Sequence, residues 1–252
     1  MTNHHLIMGI HSVLITGCNR GLGLEMLKQM ARSASPPDIL IGTTRLLNQE
    51  LDDLKKTHAN VNIINLDLRS KEKYPGVFEE VQRLVGDKGL NLLVNNAGIA
   101  HKSTRLNFIK WEQMMDSFEI NTVAPLMFTK AMLPLLAKAG KMCQKQTLTC
   151  AGVVNMSSIL GSIEKNDIGG LYSYRSSKAA LNAITKSLSI DLKPLGITCI
   201  GLHPGWVKTD MGGKNADLEV TEAIKAIIRL FSLIHKDHSG KLIQYDGTIL
   251  PY

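Results

Sequence analysis

The chain alternates between short apolar runs and longer stretches in which apolar residues recur every three or four positions. The short runs lie at residues 13–16, 39–42, 61–66, 90–94, 152–156, 197–202 and 241–245. The longer stretches, at 22–32, 48–58, 74–85, 111–136, 174–192 and 221–231, have the spacing of helices. Strands that alternate with helices predict right-handed parallel crossovers. The strands are continuous apolar runs, which is typical of a sheet with helices on both faces.

We therefore expect one doubly wound α/β domain over residues 1–252, with a central parallel sheet of about seven strands. Composition agrees with this fold class, since 44% of the 252 residues are hydrophobic and 20% are charged. The longest apolar segment, 122–137, is interrupted by Lys130 and two prolines, so it falls short of a membrane span. The apolar run at 6–8 is too short for a signal peptide. A cytoplasmic protein without a membrane partner is expected.

Cysteine, histidine and charge exclude several other classes. The four cysteines, at positions 18, 143, 150 and 199, have no CxxC spacing, which favours a reducing compartment. His235 and His238 have no cysteine or second histidine pair to complete a zinc site, so no metal is predicted. The net charge of +7 comes from scattered residues without aromatic interleaving, and therefore no nucleic-acid partner is expected.

A glycine-rich turn follows the first strand and leads directly into the first helix. It reads Gly17-Cys18-Asn19-Arg20-Gly21-Leu22-Gly23. Glycines at such a turn allow positive φ angles and close backbone approach, while free N–H groups at the helix start attract a diphosphate. Strand, turn and helix in this order favour dinucleotide binding. The GxxxGxG spacing differs from the common GxGxxG pattern.

This turn, with the preceding Thr16, resembles the cofactor turn of the short-chain dehydrogenase/reductase family. Three further motifs follow in the family's order: Asn95-Asn96-Ala97-Gly98, then Tyr174-Arg175-Ser176-Ser177-Lys178, then His203-Pro204-Gly205 leading to Thr209-Asp210. Within that family, the segments 155–162 and 204–213 are similar to those of the Sniffer and C-factor-like carbonyl reductases. The resemblance implies a Rossmann domain and an oxidoreductase that reduces a carbonyl with NADPH.

Tyr174 and Lys178 lie four residues apart, so they share one face of the predicted helix. A nearby ammonium stabilises a phenolate, and we therefore expect Lys178 to lower the pKa of Tyr174 toward the working range. Tyr172 has the uncharged Ser176 at the corresponding position and lacks this activation. Tyr174 is thus the candidate general acid.

Two further catalytic candidates come from the strand end and from a helix. Ser158 follows the strand at 152–156, where open α/β sheets bind their ligands, and its hydroxyl is placed to stabilise an alkoxide. Ser157 is the adjacent alternative, and the family pattern favours Ser158. Asn121 is a polar residue within an apolar helical segment. The resemblance implies that Asn121 holds a water that links Lys178 to solvent, whereas the alternative is an amide bound to local backbone.

The resemblance also implies a set of cofactor contacts. They comprise the turn residues Gly17, Asn19, Arg20, Gly21, Leu22 and Gly23; then Arg45, Asp67 and Leu68; then Asn95, Ala97 and Gly98; then Tyr174 and Lys178; and finally Pro204, Gly205, Val207 and Thr209.

The second strand indicates which dinucleotide is used. NAD enzymes of this architecture usually have an acidic residue about 20 positions beyond the turn, on the ribose 2′-hydroxyl. Here the strand leads into Thr43-Thr44-Arg45 without a carboxylate. Arg45 can bind a 2′-phosphate in a bidentate manner, and Arg20 can approach it from the turn. NADPH is therefore expected in preference to NAD.

Two alternatives to an enzyme stay open. A cofactor-binding signalling or sensor protein could keep this fold with little turnover, and a nucleic-acid-binding protein would show salt-dependent affinity for DNA. The helices at 111–136 and 174–192 are apolar on more than one face, which predicts that one face meets a second copy. Together with the family's habit of pairing through these helices, this predicts a homodimer or homotetramer that acts on a small carbonyl substrate.

Overall fold

The computed structural model describes residues 10–101, 105–143 and 145–252. The apolar run at 6–8, considered above as a signal sequence, lies outside the described residues. Eight strands form one sheet: β1 (Ser12–Thr16), β2 (Ile39–Thr44), β3 (Val61–Asn65), β4 (Leu92–Asn95), β5 (Gly152–Met156), β6 (Thr198–His203), β7 (Leu242–Gln244) and β8 (Ile249–Leu250). Seven α-helices accompany them in the described chain: α1 (Gly21–Ala31), α2 (Gln49–Thr57), α3 (Tyr74–Val85), α4 (Trp111–Phe118), α5 (Ala124–Met142), α6 (Tyr172–Asp191) and α7 (Val220–Phe231).

The strand order is β3-β2-β1-β4-β5-β6-β7-β8, and every pair is parallel except β7 with β8. The chain reverses its direction of strand addition between β1 and β4, so their carboxyl ends flank a crevice that is the usual ligand site of such sheets. The doubly wound parallel sheet predicted from the sequence is confirmed. The antiparallel β8 was not predicted, because a two-residue strand is too short to leave a pattern.

Helices cover both faces of the sheet, as the continuous apolar strands require. On one face the core includes Met26 and Leu27 of α1 and Phe231 of α7. On the other face it includes Val81 of α3 and Phe128 of α5. Burial of these side chains on both faces anchors the strand ends that carry the candidate site.

The predicted single helix at 111–136 is divided in the structure. A π-helical turn, Glu119–Val123, separates α4 from α5, and Asn121 lies within it. Turns of this type widen the helix by one residue and occur often at functional sites. The combined stretch Trp111–Met142 is the one described segment with the length and hydropathy of a membrane span. Of its most apolar window 56% is buried, which is the pattern of a core helix.

Two of the four cysteines form a pair that the sequence did not predict. Cys143 and Cys150 are joined by a disulfide with their Cα atoms 5.8 Å apart, across the turn between α5 and β5. Sequence spacing did not predict this pair because it is not a CxxC motif. Cys18 and Cys199 are free and buried, and burial raises the pKa of Cys199 to about 12.

Candidate active site

A cleft of about 760 Å³ opens at the carboxyl edge of the sheet, beside β1 and β4. The predicted cofactor residues that border it are Gly17, Asn19, Arg20, Gly21, Leu22, Arg45, Asp67, Leu68, Ala97, Gly98, Tyr174, Lys178, Pro204 and Thr209. The structure thus brings together residues from six separate segments of the sequence. A cavity of this size is within the range of small-molecule and cofactor sites.

The glycine turn is closed tightly against the loop after β4. Gly17 has a φ of +73°, and a Cβ there would lie 2.9 Å from the Cα of Ala97. A Cβ on Gly23 would lie 2.4 Å from the carbonyl oxygen of Gly17. Side chains at these two positions would therefore displace the backbone. Gly23 does not border the cleft, and its role is to let α1 approach the turn.

Hydrogen bonds join the turn to the loop after β4. The Thr16 hydroxyl accepts from the backbone N–H groups of Asn96 and Ala97, at 3.0 and 3.1 Å. The Asn96 side chain donates to the carbonyl oxygens of Thr16 and Gly17. No side chain caps the start of α1, so its first N–H groups remain available to an anion. The cleft therefore fits a dinucleotide diphosphate at this point.

Asn95 lies inside the sheet rather than on the cleft wall. Its side-chain amide donates to the Thr129 hydroxyl at 3.0 Å and to Asn155 Oδ1 at 2.8 Å. Asn155 in turn donates to the Thr185 hydroxyl at 2.8 Å. This buried chain of hydrogen bonds links α5, β4, β5 and α6, and thereby fixes the helix that carries Tyr174.

Charged side chains surround the end of the cleft that lies beside the carboxyl ends of β2 and β3. Arg45 follows β2 directly and is exposed to solvent. Arg20 forms an ion pair with Asp210, and both side chains are mostly exposed. Asp67 Oδ1 accepts from the backbone N–H of Arg69 at 3.0 Å, which orients the carboxylate. This end of the cleft is polar, charged and open to water.

The opposite end of the cleft contains Tyr174 and Lys178, one turn apart on α6. The Lys178 ammonium donates to the carbonyl oxygen of Met156 at 2.7 Å and lies 5.7 Å from the centre of the Tyr174 ring. Ser158 does not border the cavity, but its hydroxyl lies close enough to Tyr174 to lower the pKa of the phenol. Ser158 Oγ also accepts from the N–H of Leu160 at 3.1 Å, which fixes the hydroxyl at the end of β5.

Burial dominates the acid–base properties of this pair. It raises the pKa of Tyr174 to about 12, and the neighbouring Ser158 hydroxyl offsets only part of that rise. It also lowers the pKa of Lys178 to about 8, because the buried ammonium is poorly solvated. The expected lowering of the Tyr174 pKa by Lys178 is therefore wrong for this structure, in which desolvation raises that pKa. Tyr174 keeps its proton at neutral pH.

Asn121 connects this end of the cleft to the loop after β4. Its amide makes two hydrogen bonds with the backbone of Ile99, both 2.9 Å, and donates to the Ser177 hydroxyl at 3.1 Å. A Cβ on Gly98 would lie 3.3 Å from Asn121 Oδ1 and 3.6 Å from Lys178 Nζ. The Asn121 side chain thus binds the backbone of Ile99 and lies on the same side of Gly98 as the Lys178 ammonium.

The segment after β6 closes one side of the cleft. Gly205 has a φ of +86° and packs against Leu218 and Tyr245 rather than the cavity. Val207 is buried and likewise does not border the cleft, whereas Pro204 and Thr209 do. Burial lowers the pKa of the preceding His203 to about 4, so this ring is neutral and has no acid–base role near pH 7.

Several cleft residues were not singled out from the sequence. They are Thr43, Thr44, Leu46, Leu66, Arg69, Asn96, Ile99, Ile120, Met156, Ser157, Lys208, Asp210, Met211 and Val220. Most of them adjoin a predicted residue, so proximity along the chain could have found them. Arg69 and Asp210 also adjoin predicted residues, Leu68 and Thr209, but their ion pairs with distant residues left no signal in the sequence. In the described part of the chain no group of three His, Cys, Asp or Glu side chains could hold a metal.

Comparison with known proteins places these features in a family. The short chain dehydrogenase family model matches residues 11–219. C-signal of Myxococcus xanthus is 37% identical over 163 residues, which are 65% of this chain and 93% of that protein. The structure of carbonyl reductase Sniffer of D. melanogaster superposes with a TM-score of 0.95 at 46% identity, covering 97% of this chain and 100% of that one.

A second carbonyl reductase has a similar structure. The NADPH-bound carbonyl reductase from chicken fatty liver superposes with a TM-score of 0.92 at 33% identity, covering 98% of this chain and 97% of that one. The family match spans most of the chain and includes the glycine turn, the Tyr174–Lys178 helix and the segment after β6. The chain therefore belongs to the short-chain dehydrogenase family of oxidoreductases.

Proposed function

We propose that this protein reduces a carbonyl compound, an aldehyde, ketone or quinone, to an alcohol with NADPH. The observation that carries the proposal is that Tyr174 and the buried Lys178 line one cleft, one helical turn apart, with the Ser158 hydroxyl beside Tyr174. These three groups are a proton donor, an alkoxide stabiliser and a cation, which are the functions that carbonyl reduction requires.

NADPH, when bound, supplies a hydride to the carbonyl carbon. The protein's own side chains act on the oxygen of that carbonyl, to which they give a proton and a hydrogen bond. With a pKa of about 12, Tyr174 is protonated at neutral pH. The alkoxide formed from the carbonyl is a stronger base than the Tyr174 phenolate, so the phenol can give its proton to the alkoxide oxygen. Ser158 offers a second hydrogen bond to the same oxygen, where negative charge develops.

The preference for NADPH is supported by charge at the open end of the cleft. Arg45 and Arg20 border the same cavity, and no acidic residue ends β2. A carboxylate there would repel a 2′-phosphate, whereas a guanidinium binds one through two parallel hydrogen bonds. The NADPH-bound chicken carbonyl reductase is a relative with that cofactor.

A second candidate function is a cofactor-binding signalling protein with little turnover. Its support is the similarity to the protein named C-signal. The two candidates differ in one measurement, the steady oxidation of NADPH when simple diketones or quinones are added. Sustained turnover that Tyr174→Phe abolishes supports the reductase, whereas tight NADPH binding without turnover over a broad carbonyl panel supports the signalling protein.

We also propose a homodimer, or a homotetramer built from it, in the cytoplasm, with no nucleic-acid or membrane partner. Large apolar side chains are exposed along α4, the π-helical turn and α5, among them Trp111, Met115, Val123 and Met127. An exposed apolar face of this extent on a helix pair is typical of a surface that a second copy covers. Light scattering of the parent protein and of Met115→Glu tests this, with a monomeric parent as the contradicting result.

A further inference from the structure

An ion-pair cluster lies behind the wall of the cleft. Asp116 of α4 accepts a hydrogen bond from the Arg69 guanidinium at Oδ1 and lies 2.9 Å from His101 Nε2 at Oδ2. The Nε of Arg69 also lies 3.3 Å from Glu119 Oε2. The Asp116 carboxylate therefore holds Arg69 and His101, which belong to two different loops, against α4.

Each of the two loops forms part of the cleft. Arg69 belongs to the loop after β3, and its backbone N–H orients the Asp67 carboxylate at the open end. His101 lies in the loop after β4, whose residues Ala97, Gly98 and Ile99 line the cavity. The backbone of Ile99 is bound by Asn121, only two residues beyond Glu119 along the chain. The cluster thus links the loop after β3, the π-helical turn and the loop after β4.

The electrostatics of the cluster favour its charged form. Burial opposes ionisation of Asp116, but hydrogen bonds from Arg69 and His101 outweigh it and hold the pKa of the carboxyl below its ordinary value. Asp116, Arg69 and His101 are each about one-third exposed or less, so solvent screens them only in part. A charge-assisted bond of this kind holds two loops at a fixed spacing better than a neutral contact does.

We propose that Asp116 is a positioning residue for the dinucleotide: it sets the spacing between the loop after β3 and the loop after β4. This inference rests on the proposed function in that the bound molecule is a dinucleotide. Asp116 and His101 do not border the cavity, so their effect on binding must act through the loops. Loss of Asp116 weakens cofactor binding, while the Tyr174–Ser158 pair, which the cluster does not contact, keeps its geometry.

The chain offers a matched control in Asp38. This carboxylate also binds a histidine and a cation, His11 at 2.7 Å and Lys88 at 3.7 Å, but it precedes β2 at the opposite edge of the sheet. Asp38→Asn and Asp116→Asn remove the same kind of interaction at two places. Only the second change touches loops that line the cleft.

The experiment is a fluorescence titration of each purified variant with NADPH and with NADH, which needs no turnover. Asp116→Asn should weaken binding about tenfold, the effect of one charge-assisted hydrogen bond, and Asp116→Glu should restore part of it. Asp38→Asn should bind like the parent. His101→Ala should weaken binding and add nothing in the Asp116→Asn background, because both changes break the same link. At saturating NADPH, kcat of Asp116→Asn should stay near the parent value.

Three outcomes would overturn the inference: parent-like binding by Asp116→Asn, equal losses in Asp116→Asn and Asp38→Asn, or additive losses with His101→Ala. A lower kcat with unchanged dinucleotide affinity also contradicts it. A parent protein that binds dinucleotide but reduces no carbonyl defeats the proposed function and leaves this test intact. A parent that binds neither dinucleotide defeats both.

Discussion

The two ends of the cleft differ in burial, and the difference separates cofactor choice from chemistry. At the open end, Arg20 and Arg45 are solvent-exposed. At the closed end, Lys178 is 4% exposed and its neighbour Tyr174 has a strongly raised pKa. Exposed charges can recognise an anion directly from solvent, whereas buried groups acquire acid–base properties from desolvation. The closed end should therefore govern kcat, and the open end should govern the choice of dinucleotide.

The largest effect is expected from removal of the proton donor. Tyr174→Phe should lower kcat about 10³-fold, within the range of a lost general acid, while NADPH still binds. Tyr172→Phe is the matched control, because Tyr172 lies on the same helix but has the uncharged Ser176 one turn on. Steady-state NADPH oxidation measures both. Comparable losses in the two variants would remove Tyr174 from its assigned role.

Removal of the second hydroxyl should have the next largest effect. Ser158→Ala should lower kcat about 10²-fold, the scale of one lost donor to a developing oxyanion. Ser157→Ala is the control, since the Ser157 hydroxyl donates to Asn182 at 2.6 Å and is therefore already committed. If Ser157→Ala loses more turnover than Ser158→Ala, with both proteins folded, the two serines have been assigned in the wrong order.

The open end is tested by charge reversal. Arg45→Asp should lower kcat/KM for NADPH by about 10- to 100-fold, because it removes a charge-assisted contact and adds repulsion. The value for NADH should change far less. Arg20→Ala should have the same direction and a smaller size, because the Arg20 guanidinium also binds Asp210. Equal use of both dinucleotides by the parent would show that the phosphate site lies elsewhere.

The smallest expected effect is a pH dependence of the closed end. As pH rises through about 8, the buried Lys178 loses its charge, so kcat/KM for NADPH should fall, while Tyr174 stays protonated to about pH 12. Stability should change in the opposite sense. In the unfolded chain the lysine keeps its proton up to its ordinary pKa of 10.5. The contribution of Lys178 to the free energy of unfolding should therefore rise as the pH increases from about 8 to 10.5. A flat kcat/KM profile from pH 6 to 10 would contradict this assignment.

Much of this arrangement was predictable, because it depends on local sequence. Periodicity gave the order of strands and helices, and the glycine turn and the Tyr174–Lys178 spacing marked both ends of the cleft. The pKa of Tyr174 was not predictable in direction, since it depends on burial by segments far along the chain. Neither Asp116 with Arg69 nor Asp210 with Arg20 could be paired from the sequence, because ion pairs between distant residues leave no spacing signal.

The division between the two ends is tested most directly by NADPH affinity, measured by fluorescence titration in the parent, Tyr174→Phe and Arg45→Asp. We expect Tyr174→Phe to bind NADPH within about twofold of the parent, since the phenol hydroxyl acts on the substrate oxygen. We expect Arg45→Asp to bind NADPH about 10- to 100-fold more weakly, with little change for NADH. Loss of NADPH binding in Tyr174→Phe, or parent-like binding in Arg45→Asp, would contradict the division between the two ends.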